Sequence, residues 1–260
     1  MRHFIKTALL AISVSAVGLS ASFAADKLII GTEGAYPPFN SVTADGSVVG
    51  FDIDIANELC KQMNVECTIV TQDWDGIIPG LLAKKYDAII ASMSITEERR
   101  QKVAFTKPYY KAAMTFVAKK GTGLTEITAD TLKDKTIGAQ AGTTQADFMT
   151  AAFPDATVKT YPTQDEVNLD LVNGRLDFGV SDMLPMMDWV NNGKDGSCCE
   201  LVGAAITEAK YAGEGAGIAL RKEDTVTLEA FNKALDAMRA DGTYKAINDK
   251  YFKIDIFTMK

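Results

Sequence analysis

The sequence predicts an α/β protein with two lobes. Short apolar runs that are typical of strands alternate with amphipathic helical patterns, and this alternation indicates an α/β architecture. The alternation occurs in two similar series, and no low-complexity linker separates them. Two such series without a linker predict two lobes joined by extended crossings of the chain.

The first series contains three predicted strands and three predicted helices. Apolar residues at every fourth position predict a helix over 51–63. A second helix is predicted over 76–85, in which Pro79 is tolerated only because it lies near the start. Thr96 is a suitable N-cap for a short polar helix that follows it. The predicted strands of this series cover 28–31, 67–70 and 87–92.

The second series begins near Met114 and is longer. Its predicted strands cover 115–119, 136–139, 158–161, 177–180 and 213–221, and its predicted helices cover 145–152, 165–173, 227–240 and 244–251. Ligands of open α/β sheets bind beyond the carboxyl ends of the strands. The residues to consider for a site are therefore those that follow each strand, namely 33–36, Trp74, 92–99, 140–144 and Asp182.

Composition excludes several classes of function. Apolar residues make up 47% of the 260 residues and charged residues 23%, which is typical of a globular protein rather than a disordered one. The net charge of −7 argues against a nucleic-acid partner, because such proteins normally carry a basic domain. The single histidine, His3, lies in a predicted leader. We therefore expect neither a Ser-His-Asp triad nor a histidine-ligated metal. We also expect no cofactor.

Residues 1–24 are typical of a secretory signal peptide. Arg2 and Lys6 give a positively charged start, which is followed by an uncharged stretch over 7–21. Residues 22–24 then provide small side chains at the positions required for a cleavage site. A membrane anchor is the alternative, but this stretch is shorter than a membrane span and rich in Ser and Ala. The sequence therefore predicts a soluble periplasmic protein.

Export permits disulfides, and the chain has four cysteines. Cys60 and Cys67 flank a short connection between a predicted helix and a predicted strand, where a disulfide would hold the two together. The closed loop is short, so the entropic gain is modest. Cys198 and Cys199 are adjacent. A bond between neighbours closes a strained ring, so we expect free thiols in a glycine-rich surface loop.

Three groups that follow strands match a zwitterion. Arg99 offers a planar fork for a carboxylate, although it is also suited to a solvated helix surface. The N–H groups at 142–144 precede a helix and favour an anion, although they also serve as an ordinary cap. Asp182 is suited to an α-amine, or alternatively to capping the helix that follows.

Three further residues would surround the side chain of such a ligand. Tyr36 and Trp74 provide aromatic faces for an aliphatic stem or a cation, and core packing is the alternative for both. Glu33 is suited to pairing with a second positive charge at the distal end of the ligand. A solvated loop position is the alternative for Glu33.

With these residues in place, the chain resembles the periplasmic substrate-binding proteins of ABC amino-acid importers. The resemblance is to the branch that binds lysine, arginine, ornithine, histidine and opines, and it covers nearly all of the chain after the leader. In order, the motifs that carry it are GTEGAYPPF (31–39), GFDIDI (50–55), WDGIIP (74–79), SMSIT (92–96), AGTT (141–144), GRLD (174–177), RADGTY (239–244) and KYF (250–252).

The resemblance implies a type II periplasmic-binding-protein fold, whose two lobes close on the ligand about a hinge. Lobe one would comprise 25–111 plus 211–260, lobe two would comprise 114–208, and the hinge would lie near 111–114 and 209–211. The resemblance further implies a monomer that contacts the membrane subunits of an ABC permease transiently. It implies no catalysis.

The resemblance also implies a role for each site residue. Arg99 would hold the ligand carboxylate, helped by the N–H groups of Ser94 and Thr144, and Asp182 would meet the α-ammonium with Ser92 and Ser94. The disulfide Cys60–Cys67 matches one in the basic amino-acid binders. The implied ligand-binding set is Glu33, Tyr36, Trp74, Ala91, Ser92, Met93, Ser94, Arg99, Gln140, Thr143, Thr144 and Asp182.

Four departures from the branch's usual residues surround the distal pocket. They are Glu33, Trp74, Ala91 and Gln140. Several of them are similar to the octopine and nopaline binders, whereas Asp182 favours a free α-ammonium and hence an ordinary amino acid. The resulting expectation is a binder of a cationic L-amino acid, with arginine before ornithine, lysine and histidine. The alternatives are an opine or neutral polar amino-acid binder and, more remotely, a dehydratase on the same fold.

Overall fold

The computed structural model describes residues 27–259, so the predicted signal peptide over 1–24 lies outside the described residues. From residue 27 to the end of the first series, the elements in chain order are β1 (Lys27–Thr32), β2 (Ala35–Tyr36), β3 (Asn40–Val42), β4 (Val48–Val49), α1 (Phe51–Met63), β5 (Glu66–Thr71), α2 (Trp74–Leu82), β6 (Ala88–Ile89), α3 (Glu97–Arg100) and β7 (Ala104–Phe105).

The rest of the chain forms the second series and a C-terminal helical segment. Its elements are β8 (Met114–Lys119), α4 (Ala129–Leu132), β9 (Thr136–Gln140), α5 (Thr144–Ala152), β10 (Thr157–Tyr161), α6 (Gln164–Val172), β11 (Phe178–Asp182), α7 (Met183–Asn192), a 3-10 helix (Gly196–Cys198), β12 (Cys199–Ile206), α8 (Ala209–Ala212), β13 (Ala219–Leu220), α9 (Thr225–Asp241) and α10 (Thr243–Tyr251).

Two five-stranded sheets share one pattern of strand order. The first sheet has the order β5-β1-β6-β13-β7, in which β1 is parallel to both neighbours and β13 antiparallel to both of its own. The second has the order β10-β9-β11-β8-β12, with β9 parallel and β8 antiparallel to their neighbours. The predicted two-lobed α/β class is confirmed. The lobe and hinge bounds stay predictions.

The cores lie on both faces of each sheet. In the first sheet, aromatic rings cluster under α1, where Phe51 packs edge-on against Phe39 at a centroid distance of 5.8 Å. The second sheet buries Phe116 and Phe178 on one face, and on the other it buries Val117 beneath Val167 of α6. Because the apolar faces are covered in this way, polar groups concentrate at the strand ends.

A buried carboxylate at the start of α1 supports the end of β6. Asp52 is fully buried and accepts hydrogen bonds from Asn40 Nδ2 (2.8 Å), Ser92 Oγ (3.0 Å) and Tyr109 Oη (2.7 Å). Burial raises the pKa of Asp52 to about 6, although the three hydrogen bonds favour the ionised form and lower it. The network holds Ser92 in a left-handed conformation (φ 54°), which is uncommon for a non-glycine residue. Asp52 therefore fixes the chain where the predicted site begins.

Several short elements differ from the sequence predictions. The strand predicted over 87–92 is only β6, and the strand predicted over 213–221 is only β13. Helix α4 (Ala129–Leu132) was not predicted. Helix α2 begins two residues early at Trp74, so that Pro79 lies inside it. No strand was predicted for β2, β3, β4, β7 or β12. All but one of these strands have two or three residues, too few to show a periodicity.

Both cysteine pairs are bonded. The disulfide between Cys60 and Cys67 is confirmed and joins α1 to β5. The expectation of free thiols at Cys198 and Cys199 is wrong, because these neighbours form a disulfide with each other. The predicted surface loop is instead the junction of the 3-10 helix and β12, where the change in backbone conformation brings the two side chains together.

Candidate functional site

One cavity collects the polar residues that follow the strands. It encloses about 320 Å³, part of it open to solvent. Eleven of the twelve residues in the predicted set line it, and Gln145 is a further lining residue. The eleven are Glu33, Tyr36, Trp74, Ala91, Ser92, Ser94, Arg99, Gln140, Thr143, Thr144 and Asp182. Most of them follow the carboxyl ends of β1, β6, β9 and β11 or lie at the starts of α2 and α5, while Tyr36 lies on β2 and Arg99 on α3.

Met93 is the predicted residue that the structure does not bring to the cavity. Its side chain is fully buried in the hydrophobic cluster that contains Ile77 and Leu81. Ser92 and Ser94 line the cavity, whereas Met93 between them packs into this core.

Arg99 is a buried cation without a carboxylate partner. The residue is only 9% exposed, and its guanidinium donates to the carbonyl of Ser94 (Nη1, 3.0 Å) and to that of Gly142 (Nη2, 3.3 Å). It lies 5.3 Å from the centroid of the Trp74 ring. Within residues 27–259 it forms no ion pair. An uncompensated buried charge is costly, so a ligand carboxylate here would be strongly favoured.

The N-terminus of α5 faces the same cavity. Thr143 is the N-cap, since its hydroxyl accepts from the backbone N–H of Ala146 at 3.3 Å and donates to the carbonyl of Gln140 at 2.7 Å. The capping interpretation of this segment therefore holds for Thr143. The first N–H groups of α5 remain next to the cavity, where the helix dipole favours a negative charge beside Arg99.

Asp182 is a buried anion that has no cation partner among residues 27–259. It is 7% exposed and accepts from Tyr36 Oη at 2.9 Å and from Gln145 Nε2 at 2.5 Å. Its side chain makes no capping hydrogen bond to α7, so the alternative of a helix cap is wrong. Burial raises the pKa of Asp182 to about 6, although Arg99 and the two hydrogen bonds oppose this rise. An ammonium group here would restore the charge balance.

Glu33 and Gln140 meet at the other end of the cavity. Gln140 Nε2 donates to Glu33 Oε1 at 2.5 Å and also to the carbonyl of Pro162 at 3.0 Å. Both neighbours of Nε2 are acceptors, which fixes the amide orientation and leaves Oε1 of Gln140 as an acceptor. Glu33 is 8% exposed, and burial raises its pKa to about 7, with further contributions from the charges of Asp165, Asp73 and Asp75.

Aromatic side chains border the space between the charged ends. The Tyr36 hydroxyl lies 3.2 Å from Ser181 Oγ in addition to its bond to Asp182. Trp74 is half-buried, and its Nε1 donates to the carbonyl of Gly142 at 3.1 Å. Each of these bonds joins a residue of the first sheet's lobe to the second sheet's lobe. The cavity is thus walled from both sides.

Gln145 is the lining residue that sequence reasoning missed. It is the second residue of α5, directly after the segment 142–144 that was identified as an anion site. A helix that begins at a strand end directs its first side chains back toward that end. This rule could have marked Gln145 from the sequence, because its amide is long enough to reach Asp182 on the neighbouring strand.

Comparison with known proteins finds full-length relatives. The sequence profile of the bacterial extracellular solute-binding proteins, family 3, matches residues 28–254. The L-arginine-binding protein of Pseudomonas aeruginosa is 46% identical over 256 residues, covering 97% of this chain and 98% of that protein. The lysine/arginine/ornithine-binding periplasmic protein of Escherichia coli is 41% identical over 259 residues, covering 97% and 99%.

A solved structure gives the same result for the fold. A Salmonella typhimurium periplasmic binding protein, described for its high arginine specificity, superposes with a TM-score of 0.80 at 35% identity. The match covers 88% of this chain and all of that one. No helix between residues 27 and 259 has both the length and the hydropathy needed to cross a membrane.

Proposed function

The chain belongs to the bacterial extracellular solute-binding proteins of family 3, and we propose that it binds a cationic L-amino acid, with arginine as the preferred ligand. It acts in the periplasm as the capture component of an ABC importer and delivers the amino acid to the membrane permease. The relatives named above are binding proteins for arginine or for lysine, arginine and ornithine. A binding role without catalysis follows from the same relationship.

The observation that carries the proposal is the sign of three buried charges. Arg99 is positive, Asp182 and Glu33 are negative, and each lacks an oppositely charged partner at ion-pair distance within residues 27–259. A cationic amino acid has the complementary set, with one carboxylate and two positive groups. In the proposed mode Arg99 and the start of α5 hold the carboxylate, Asp182 holds the α-ammonium, and Glu33 faces the distal cation.

The distal acceptors favour arginine within this class. Gln140 and Glu33 are adjacent, and each keeps one free acceptor atom, Oε1 of Gln140 and Oε2 of Glu33. Neither atom accepts a hydrogen bond from the described chain. A guanidinium presents two N–H groups in a planar fork and can satisfy both acceptors. An ammonium is a compact point charge and cannot match this spacing as well. Tyr36 and Trp74 flank the aliphatic stem.

Ligand capture proceeds by closure of the two lobes about crossings near 111–114 and 209–211. The bonds of Tyr36 to Asp182, Trp74 to Gly142 and Gln140 to Glu33 cross between the lobes and belong to the closed form. Closure follows the ligand only because the ligand binds the closed form better. The permease subunits then receive the closed, loaded protein as a transient partner.

A thermal-shift panel on ligand-stripped protein tests the proposal. A ligand at about 1,000 times its dissociation constant adds roughly 4 kcal/mol to the free energy of unfolding, a large shift. We expect the largest shift with L-arginine, smaller shifts with ornithine, lysine and histidine, and little with glutamate. A shift with octopine or glutamine alone would keep the carboxylate and ammonium sites but contradict the distal one. No shift with any of these ligands would contradict the proposed function.

A further inference from the structure

A second cavity lies beside the amino-acid site, between the two lobes. It encloses about 540 Å³, part of it open to solvent. Its walls are α6 and α7 on one side and the segment from Ala35 to Pro37 on the other. Tyr36 lines both cavities, and its hydroxyl bonds to Asp182 in the first. Otherwise the two cavities share no lining residue.

The charges that line this cavity are all negative. Asp165 and Asp188 line it, whereas no lysine, arginine or histidine of the described chain does. Neither carboxylate forms an ion pair with any residue in 27–259. Oδ1 of Asp188 accepts from Asn192 at 2.7 Å, which leaves Oδ2 available. The half-buried indole of Trp189 is part of the same wall. Carboxylates beside an aromatic face favour an organic cation.

Two buried amides give an independent indication of a ligand. Gln164 and Asn168 line the cavity and are only 4% and 5% exposed. Gln164 Nε2 donates to Asn168 Oδ1 at 3.1 Å and, more weakly, to Met186 Sδ at 4.0 Å, whereas Gln164 Oε1 and Asn168 Nδ2 have no partner in the described chain. Reversing both amides exchanges the roles but still leaves one donor and one acceptor unpaired. Both unpaired atoms reach solvent rather than being sealed in the core. The cavity that the two amides line is the space from which an occupant would pair with them.

We propose that this second cavity binds a small organic ammonium ion that also carries a hydroxyl group. The ammonium pairs with Asp165 and Asp188 beside Trp189, and the hydroxyl donates to and accepts from the Gln164–Asn168 pair. A hydroxyl is the group that can meet both an unpaired donor and an unpaired acceptor. A ligand with a carboxylate is disfavoured, because two acids and no base line the space.

Because the walls come from both lobes, an occupant stabilises the closed form. This consequence depends on the proposed function. Arginine and the amine then raise each other's affinity by the same factor, as linkage requires. Tyr36, which lines both cavities, is the residue through which the two occupants come closest.

The test is calorimetric titration of ethanolamine into arginine-loaded protein. We expect saturable binding that Asp188→Asn weakens by at least about tenfold, the usual effect of losing a charge-assisted hydrogen bond. The matched control is Asp195→Asn, an exposed carboxylate that does not line the cavity and should change nothing. Asp165→Asn, at an exposed position, serves as a second variant should Asp188→Asn fold poorly. Glycerol and propionate, which lack the cation, should not bind.

Three outcomes would overturn the proposal. They are no saturable heat up to roughly 50 mM ethanolamine, far above useful affinity; equal binding by wild type and both variants; or equal binding of propionate. Failure of the proposed function is distinguished separately, because it would appear as absent arginine binding. Ethanolamine would then be titrated alone, and its dependence on Asp165 and Asp188 would still decide whether the second cavity is a site.

Discussion

Arginine binding should weaken steeply as the pH falls below 7. Glu33 has a pKa raised to about 7 by burial, and Asp182 one raised to about 6. A bound guanidinium and α-ammonium favour the ionised carboxylates, so both groups must be deprotonated in the complex. Protons therefore compete with the ligand: affinity is full only about one pH unit above the pKa of Glu33, near pH 8, and falls progressively below that.

The magnitude follows from the two pKa values. Only the ionised form of each carboxylate binds the ligand, so protonation lowers the affinity by the ratio of total to ionised group. At pH 5.5 this ratio is about 30 for Glu33, with its pKa of about 7, and about 4 for Asp182, with its pKa of about 6. The product is a loss of about 100-fold in affinity between pH 8 and pH 5.5. Most of this loss is due to Glu33, because it has the higher pKa.

Calorimetry in two buffers of different ionisation enthalpy measures the dissociation constant and the number of protons released on binding. The dissociation constant is followed from pH 8 to pH 5.5, and the buffer dependence of the heat gives the protons released, about half a proton per arginine at pH 7. Glu33→Gln should remove the larger part of the pH dependence, leaving the part due to Asp182. A constant dissociation constant across this range, or an unchanged profile in Glu33→Gln, would refute the reasoning.

Three further predictions concern single contacts. Arg99→Ala should weaken arginine binding by about 100-fold through the loss of a charge-assisted carboxylate pair. The neighbouring Arg100 is half-buried, pairs with Glu214 and does not line the cavity, so Arg100→Ala should not weaken binding, and equal effects in calorimetry would contradict the site. Gln140→Leu should weaken arginine about tenfold more than lysine, measured as the ratio of the two dissociation constants, and an unchanged ratio would exclude a guanidinium contact. Replacing both Cys60 and Cys67 by serine should lower the free energy of unfolding by about 2 kcal/mol in denaturant melts without changing arginine affinity.

Sequence patterns were sufficient where one face of an element is buried. Helix α1 begins and ends at the predicted residues, since its apolar residues recur along one face and Asn64 ends it in a left-handed conformation. Strands β7 and β13 have two residues each, and they are strands only because of their neighbours in the sheet. A local pattern cannot carry such information, because the pairing partners lie more than 100 residues apart along the chain.

The site residues likewise fall into those that the sequence predicted and those that depend on local geometry. The resemblance to a family supplied most of the lining residues, and the family itself is confirmed by the profile match over 28–254. The direction of Met93 and the reach of Gln145 depend on local geometry at a strand end and a helix start. The bond between Cys198 and Cys199 depends on a backbone turn that glycine content alone does not specify.

The buried charges explain why this site should discriminate between ligands rather than bind many of them equally well. Arg99, Asp182 and Glu33 are each held by hydrogen bonds to neutral groups, which orient the charge without neutralising it. An internal salt bridge between Arg99 and Asp182 would cost less to bury but would leave nothing for a zwitterion to complete. A ligand that lacks any one of the three complementary charges leaves a buried charge unpaired, at a cost of a few kcal/mol. Discrimination therefore arises from the penalty for the wrong ligand as much as from attraction to the right one.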